Sequence, residues 1–210
     1  MGLNTWRFAA MYDRFMSRTE RGGLAQRRAA LLSAAHGQVL EVGGGTGANL
    51  AYYGPAVDEL TVTEPDPAML RRLERKVDGA RPVTVLRAPA EDLPFGDASF
   101  DVVVSTAVLC SVDDQPRAVR ELRRVLRPGG TLLFAEHVRS DDPELARFQD
   151  RMNWLNRLVT LCDCNRPTLH TIEASGFTLT QVEHGTLPGA PSFAAPLVSG
   201  VATAPLLTSV

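Results

Sequence analysis

The residues with the clearest chemical potential are a glycine-rich run and the carboxylates on either side of it. Glu41-Val42 leads into Gly43-Gly44-Gly45-Thr46-Gly47, and Glu64 follows 17 positions after the last of these glycines. Glycines let a ligand approach the backbone closely, and free N–H groups at a helix start bind carboxylate or hydroxyl groups. A carboxylate that ends the next strand accepts hydrogen bonds from both hydroxyls of a ribose. The pattern therefore predicts a site for an adenosine-containing ligand.

The glycine-rich run by itself is compatible with two other interpretations. Gly43, Gly45 and Ala48 also match the looser dinucleotide fingerprint, which would indicate a nicotinamide cofactor. A glycine-rich turn can also be purely structural. Asp66 competes with Glu64 for the ribose, but its position favours a role as the N-cap of the following helix.

A second group of residues offers proton transfer or metal binding. His137 lies at the carboxyl end of the fifth predicted strand, and because histidine titrates near neutrality it is the candidate general base. A histidine that is hydrogen-bonded to backbone fits this position equally well, and the neighbouring Glu136 is expected to anchor the N-terminal helix. The three cysteines, Cys110, Cys162 and Cys164, lack the paired spacing of a structural zinc site. We therefore expect no metal site and interpret the cysteines as small apolar core residues.

Short apolar runs that alternate with helical patterns must position these groups. The predicted strands cover residues 38–42, 60–63, 83–86, 100–105 and 131–137, with two further strands at 177–183 and 193–202. The longest helical pattern, from 143 to about 162, is expected to bury an apolar face that consists of Leu145, Phe148, Met152, Leu155 and Val159. This alternation predicts an α/β fold with a doubly wound sheet and a ligand crevice at the carboxyl ends of the strands.

Composition excludes several classes of protein. The 210 residues carry a formal net charge of −2, so no strong positive field favours nucleic-acid binding. Three cysteines form no even disulfide framework and no signal peptide is visible, so we expect a cytoplasmic protein. No apolar run reaches the roughly 18 residues of a membrane span, so no integral membrane segment is expected.

Further segments distinguish between the two cofactors. Ala90-Glu91-Asp92-Leu93-Pro94-Phe95 follows the third predicted strand, Asp101-Val102-Val103-Val104 forms the fourth, and Leu126-Arg127-Pro128-Gly129-Gly130 precedes the fifth. With these segments in this order, the sequence resembles class I S-adenosylmethionine-dependent methyltransferases over nearly its full length. The resemblance implies one methyltransferase domain over 1–210, with a Rossmann-like seven-stranded, mostly parallel sheet, helices on both faces and an antiparallel last strand. It also implies S-adenosylmethionine as the cofactor.

The resemblance extends to particular groups within this family. Thr46-Gly47-Ala48-Asn49, Val108-Leu109-Cys110-Ser111-Val112 and Glu136-His137-Val138 resemble the methyltransferase-like alkyl-thiol S-methyltransferases. The segment at Cys164 is similar to a cysteine-containing segment of that group, and Tyr12-Asp13-Arg14-Phe15 is similar to the N-terminal helix of quinone and phospholipid methyltransferases. We expect N-terminal lid helices within 1–36, although an amphipathic stripe there also fits simple core packing. A helical insertion is expected on the substrate side at 138–166.

The expected function is methyl transfer to a small, fairly apolar acceptor, with a thiol sulfur favoured. N- or O-methylation of a lipid, quinone or secondary metabolite is the alternative, and a non-catalytic S-adenosylmethionine-binding protein is a further one. The residues assigned to the cofactor are Glu41, Gly43, Gly45, Gly47, Asn49, Glu64, Pro65, Ala90, Glu91 and Ser105. The residues assigned to the substrate are Tyr12, Trp154 and Arg166, and His137 is assigned to catalysis.

Some of these assignments carry their own alternatives. Pro89 has no N–H and no side-chain acceptor for adenine, so the adenine contact falls to Glu91 or to the backbone around Ala90, or is absent. Glu91 also fits a solvated loop charge. The only partner expected is the small-molecule acceptor, without nucleic acid. Peripheral membrane contact stays open, as does the choice between a monomer and a homodimer.

Overall fold

A seven-stranded sheet forms the centre of the structure, a computed structural model that describes residues 20–77, 79 and 82–206. The strands are β1 (Gly37–Val42), β2 (Val57–Thr63), β3 (Val83–Leu86), β4 (Phe100–Thr106), β5 (Leu126–His137), β6 (Thr178–Thr186) and β7 (Pro196–Thr203). Their order is β3-β2-β1-β4-β5-β7-β6, and β7 runs antiparallel to both of its neighbours, β5 and β6. The predicted mostly parallel sheet with an antiparallel last strand is confirmed.

Among the described residues, five α-helices connect or flank these strands. They are α1 (Ala25–Leu32), α2 (Pro67–Lys76), α3 (Gln115–Val125), α4 (Pro143–Thr160) and α5 (Thr168–Ala174), with short 3₁₀ turns at Leu50–Tyr52 and Ser192–Ala194 and a π-helical turn at Glu20–Leu24. Asp66 caps α2, since its carboxylate accepts hydrogen bonds from the backbone N–H groups of Ala68 and Met69 at 2.7 and 2.9 Å. The capping role that the sequence favoured for Asp66 is therefore confirmed.

Strand β4 is covered on both faces, as its near-continuous apolar sequence indicates. Val103 packs into one hydrophobic cluster with α3, whereas Val102 and Val104 pack into a second cluster with Leu73 of α2. All three valines have no solvent exposure. In this sheet β1 and β4 are neighbours in space although they are not consecutive in the chain, which is the topological switch point where ligands of such folds bind.

The start of β5 differs from the prediction. The strand begins at Leu126 rather than at residue 131, and its pairing with β4 is interrupted, because Phe100 pairs with Leu126 and Val102 with Thr131. The residues of the Arg-Pro-Gly-Gly turn thus leave the ladder, and the guanidinium of Arg127 hydrogen-bonds the carboxylate of Asp101. The predicted turn exists, but it lies within the strand as an irregularity instead of preceding it.

The inward face of α4 includes buried polar side chains, where the sequence predicted an apolar face. Gln149 has no solvent exposure, and its side-chain amide donates hydrogen bonds to the carbonyls of Val138, Cys164 and Phe193. Phe148, predicted to be buried, is 42% exposed. Three backbone carbonyls of neighbouring loops need donors there, and a glutamine satisfies them where an apolar side chain cannot.

Within the part of the chain that the structure describes, no helix combines the length and the apolar character that crossing a membrane requires. Most of the predicted N-terminal lid, including the substrate-binding assignment of Tyr12, lies outside the described residues.

Candidate active site

The glycine-rich loop leaves β1 at the centre of the sheet and has one packed side and one open side. Gly43 and Gly45 have φ angles of +59° and +56°, a region that glycine enters without strain. A Cβ atom on Gly43 would lie 2.5 Å from Cγ2 of Val108, so this glycine permits close packing against the loop after β4. A Cβ on Gly45 would meet nothing within 4 Å. Gly45 therefore borders open space that a ligand can fill.

Glu64, at the end of β2, joins this loop to the start of α2. One carboxylate oxygen accepts the N–H of Gly45 at 2.8 Å, and the other accepts the N–H of Asp66 at 2.9 Å. The side chain is buried, and burial raises its pKa although both backbone hydrogen bonds act in the opposite direction. A carboxylate has about four acceptor positions, so capacity remains for two ribose hydroxyls.

Glu41 and Asn49 lie beneath the loop and bond to each other. The Asn49 amide donates to Glu41 at 3.0 Å and to the hydroxyl of Thr106 at 3.0 Å, and its oxygen accepts from Arg28 at 2.7 Å. Tyr53 donates its hydroxyl to Glu41 at 2.7 Å. Burial raises the pKa of Glu41 to about 7. Both side chains are buried, so their effect on a ligand is to hold the shape of the loop.

The remaining cofactor assignments fall at or near the same edge of the sheet. Gly47 closes the glycine turn, with its N–H bonded to the carbonyl of Gly44 at 2.8 Å. Pro65 is exposed directly after Glu64, and Ala90 is buried after β3. The carboxylate of Glu91 accepts the N–H of Asp113 at 2.8 Å, which fastens the loop before α3. Glu91 thus has a backbone partner, and its contact with adenine stays a prediction.

Glu136 organises the loop after β4. Its carboxylate accepts the hydroxyl of Ser105 at 2.7 Å and the N–H groups of Val108 and Cys110 at 3.1 and 3.3 Å. Burial raises the pKa of Glu136, and these donors oppose that rise. The expectation that Glu136 anchors the N-terminal helix is replaced, among the described residues, by this loop-holding role. The assigned Ser105 likewise directs its hydroxyl to Glu136.

A cavity of about 490 Å³ opens beside the carboxyl ends of β4 and β5. Its walls are mainly apolar and include Leu24, Leu155, Leu187, Phe193 and Leu197. Thr106 and Ala107, which directly follow the buried part of β4, border it on the side of the glycine loop. The described residues that line it include two arginines and no aspartate or glutamate. The cavity thus has the size and polarity of a pocket for a small apolar molecule.

Three side chains converge on the wall of this cavity. Nδ1 of His137 lies 3.2 Å from Sγ of Cys162 and 3.9 Å from Sγ of Cys110. Nε2 of His137 is buried and has no hydrogen-bond partner among the described residues. The pKa of Cys110 is well above its ordinary value, because of its hydrogen bond to Cys162 and because of burial. His137 therefore contacts thiols rather than the backbone partner that its structural interpretation required.

Comparison with known proteins agrees with this geometry. A family model described as a methyltransferase domain matches residues 40–134, which include the glycine loop and Glu64. The chain is 37% identical over 139 residues to phosphatidylethanolamine N-methyltransferase of Cereibacter sphaeroides, an alignment that covers 61% of this chain and 68% of that protein. The chain belongs to the S-adenosylmethionine-dependent methyltransferase family. The family's cofactor is S-adenosylmethionine, and the open space at Gly45 and the spare acceptor positions of Glu64 fit its nucleoside.

Other relatives of this methyltransferase differ in length or are more distant. It is 44% identical over 113 residues to thiol S-methyltransferase TMT1B of Homo sapiens, covering 51% of this chain and 46% of that protein. The chain thus spans about half the length of that relative. A crystal structure of an S-adenosylmethionine-dependent methyltransferase from Mesorhizobium loti superposes with a TM-score of 0.63 at 19% identity, covering 85% of this chain and 96% of the other. This last likeness supports the fold.

The residues assigned to the substrate do not come together at the cavity among the described residues. Trp154 is 67% exposed on α4 and is not among the described residues that line the cavity. Arg166 donates to Asp163 and, at 3.0 Å, to the carbonyl of Leu109. Its guanidinium therefore fastens the loop after α4 to the loop after β4. Arg166 is not among the described residues that line the cavity, and Tyr12 lies outside the described residues.

Sequence reasoning missed the grouping of Cys110 and Cys162 with His137. The expectation of no metal site rested on the spacing of Cys162 and Cys164, but the thiol of Cys164 contacts Asn153 instead, at 3.5 Å. One signal was available, because Cys110 and His137 both follow strands whose carboxyl ends meet at the crevice. Nothing local indicates that Cys162 returns to the same place.

Proposed function

We propose that this methyltransferase transfers the methyl group of S-adenosylmethionine to the sulfur of a small, apolar thiol bound in the cavity beside β4 and β5. The observation that carries the proposal is an apolar cavity lined by His137 and by Thr106, whose hydroxyl accepts a hydrogen bond from Asn49 of the segment that follows the glycine turn. The similarity to thiol S-methyltransferases supports the same acceptor.

The charges around the cavity favour a thiol over an amine. An amine is mostly protonated at neutral pH, and burying it without a counter-charge is costly. The described lining residues include Arg27 and Arg28 but no acidic side chain. A thiol enters the cavity neutral, and its free pKa of about 8.5 makes a few per cent of it thiolate at neutral pH.

The reaction requires alignment more than activation of the donor. The thiolate sulfur attacks the methyl carbon, the bond from that carbon to the sulfonium sulfur breaks, and the products are a methyl thioether and S-adenosylhomocysteine. Holding two reactants in line contributes up to about 7–11 kcal/mol. Gly45 and Glu64 would hold the nucleoside, and His137 would act as the base that accepts the proton lost by the acceptor thiol.

N-methylation of a lipid amine is the second candidate. It is favoured by the similarity to phosphatidylethanolamine N-methyltransferase, of which this chain covers 68%. This candidate predicts turnover of an aminolipid, which the thiol proposal does not.

A matched acceptor panel tests the proposal. Purified protein and S-adenosylmethionine would be incubated with 1-hexanethiol, 1-hexanol, 1-hexylamine or phosphatidylethanolamine vesicles, and both products would be quantified by mass spectrometry. We expect methyl thioether and S-adenosylhomocysteine in equal amounts with the thiol alone.

His137→Ala should lower this rate at least tenfold, given the roughly 10²–10⁴-fold contribution of positioned proton-transfer groups. His170→Ala is the matched control, because His170 is exposed on α5. Turnover of the amine or the aminolipid without turnover of the thiol would refute the proposal.

A further inference from the structure

The grouping of Cys110, His137 and Cys162 has the composition of a metal site. The two Sγ atoms and the imidazole nitrogen all lie within 4.8 Å of one another, and they come from three different segments of the chain. Thiolate and imidazole ligands select zinc and similar thiophilic cations over magnesium or calcium, which prefer oxygen. The donor set therefore defines the class of cation.

The distances fit a tetrahedral ion. Zinc bonds of about 2.3 Å to sulfur and about 2.0–2.1 Å to nitrogen imply that neighbouring ligand atoms are about 3.6–3.8 Å apart. The distances from Nδ1 of His137 to the two sulfur atoms, 3.2 Å to Cys162 and 3.9 Å to Cys110, lie on either side of this range. Movements of a few tenths of an ångström would bring both nitrogen–sulfur distances to the values of a tetrahedral site.

The backbone around these ligands is held in place by hydrogen bonds. The carbonyl of Cys110 accepts the N–H of Asp163 at 2.8 Å, which joins the loops that carry the two cysteines. The N–H of Cys110 donates to Glu136 at 3.3 Å, and the amide of Asn156 donates to the carbonyl of Cys162 at 2.6 Å. Such support is what an ion-binding set of side chains requires.

The grouping also faces an open position. Cys110, His137 and Cys162 all line the cavity proposed above for the acceptor. Structural zinc sites are closed by four protein ligands, whereas three protein ligands with one open position are typical of catalytic sites. A molecule in the cavity can therefore supply the fourth ligand.

We propose that Cys110, His137 and Cys162 bind a zinc-like divalent cation whose fourth position takes the sulfur of the acceptor thiol. This role rests on the proposed function, since it assigns the acceptor's binding mode in that reaction. The acceptor R–SH binds as a thiolate and its proton passes to solvent. The thiolate then takes the methyl group from the sulfonium, which yields R–S–CH₃ and S-adenosylhomocysteine. His137 acts as a ligand in this scheme rather than as the base.

Metal binding is measured first, without any methyl transfer. Protein stripped with a chelator under reducing conditions would be titrated with Zn²⁺, and with Co²⁺ as a spectroscopic substitute that reports thiolate ligation through charge-transfer absorption. We expect one tightly bound ion per chain. Cys110→Ser and Cys162→Ser should weaken binding at least about tenfold, because even the loss of a supporting partner costs about 10- to 100-fold.

Cys164→Ser is the matched control, since its thiol is buried nearby but lies outside the grouping. This variant should bind the ion like the natural chain. Circular dichroism and S-adenosylhomocysteine binding would establish that each variant is folded. The cobalt spectrum of the unaltered protein tests thiolate ligation without any substitution. Absence of thiolate-to-cobalt absorption, or equal binding by all three variants, would overturn the proposal.

A second measurement separates this proposal from the proposed function. Adding 1-hexanethiol to the cobalt protein should change the spectrum, whereas 1-hexanol should leave it unchanged. If the stripped protein methylates the thiol as fast as the metal-loaded protein, the metal role fails and thiol methylation stands. If the ion binds at these ligands but no thiol is methylated, the proposed function fails and the metal site alone stands.

Discussion

Replacing Glu64 by glutamine tests how the site holds the nucleoside. Glutamine keeps the size and one acceptor oxygen of Glu64 but replaces the other oxygen with an NH₂ donor. The natural carboxylate accepts the N–H groups of Gly45 and Asp66 at 2.8 and 2.9 Å and has positions left for the two ribose hydroxyls. The variant therefore loses the charge and at least one of these bonds.

The size of the effect follows from these contacts. A hydrogen bond to a charged group contributes about 1.5–3 kcal/mol, which corresponds to a roughly ten- to 150-fold increase in the Kd of S-adenosylhomocysteine. The binding also acquires a pH dependence. Ribose hydroxyls bond the ionised carboxylate, so affinity should fall as pH falls through the pKa of Glu64, which burial raises. Glu64→Gln should lack this fall.

Isothermal titration calorimetry with S-adenosylhomocysteine measures both quantities. Glu59→Gln is the matched control, because it removes the same charge from an exposed position of the same strand. Thermal unfolding of both variants would show whether the fold is retained. An unchanged Kd for Glu64→Gln, or an equal change for Glu59→Gln, would refute the assignment of the ribose to this carboxylate.

Four other substitutions test the surroundings of the site. Because the pKa of Glu41 is about 7 in the fold against an ordinary 4.5, stability should decline by up to roughly 3 kcal/mol as pH rises between these values; denaturant unfolding of Glu41→Gln should lack that component. Alanine at Gly43 or Gly45 is strained by the positive φ, but only Gly43→Ala also meets Val108, at 2.5 Å, so it should lower the melting temperature more. Gly45→Ala should weaken S-adenosylhomocysteine binding more in calorimetry, and equal effects of the two on both measurements would contradict this division. Asp163→Asn removes the charge partner of Arg166 and should cost about 1–3 kcal/mol in thermal unfolding while the cofactor Kd stays unchanged, and a changed Kd would argue against separate cofactor and acceptor regions.

Local sequence patterns predicted most of the fold and one side of the site. The glycine turn lies between a buried strand and a short helical turn, and Glu64 lies directly after the last residue of the next strand, where the sequence placed a strand-end carboxylate. Such features can be predicted from the sequence because strand periodicity, helix caps and positive-φ turns depend on a few adjacent residues. The burial of Gln149 on α4 could not be predicted from the sequence. Its amide is held inside the protein by hydrogen bonds to three carbonyl groups of other segments, and the helical pattern contains no information about those segments.

The sequence by itself determined the succession of strands and helices along the chain, the glycine loop and the strand-end carboxylate. Each of these features arises from residues that are close together in the chain. Only the tertiary structure decided that His137 meets Cys162 and Cys110, which are 25 and 27 positions away. That meeting depends on how α4 packs back onto the sheet and on the bond between Asp163 and Cys110. Contacts between distant segments are set by the packing of whole elements, and no local pattern in the sequence encodes them.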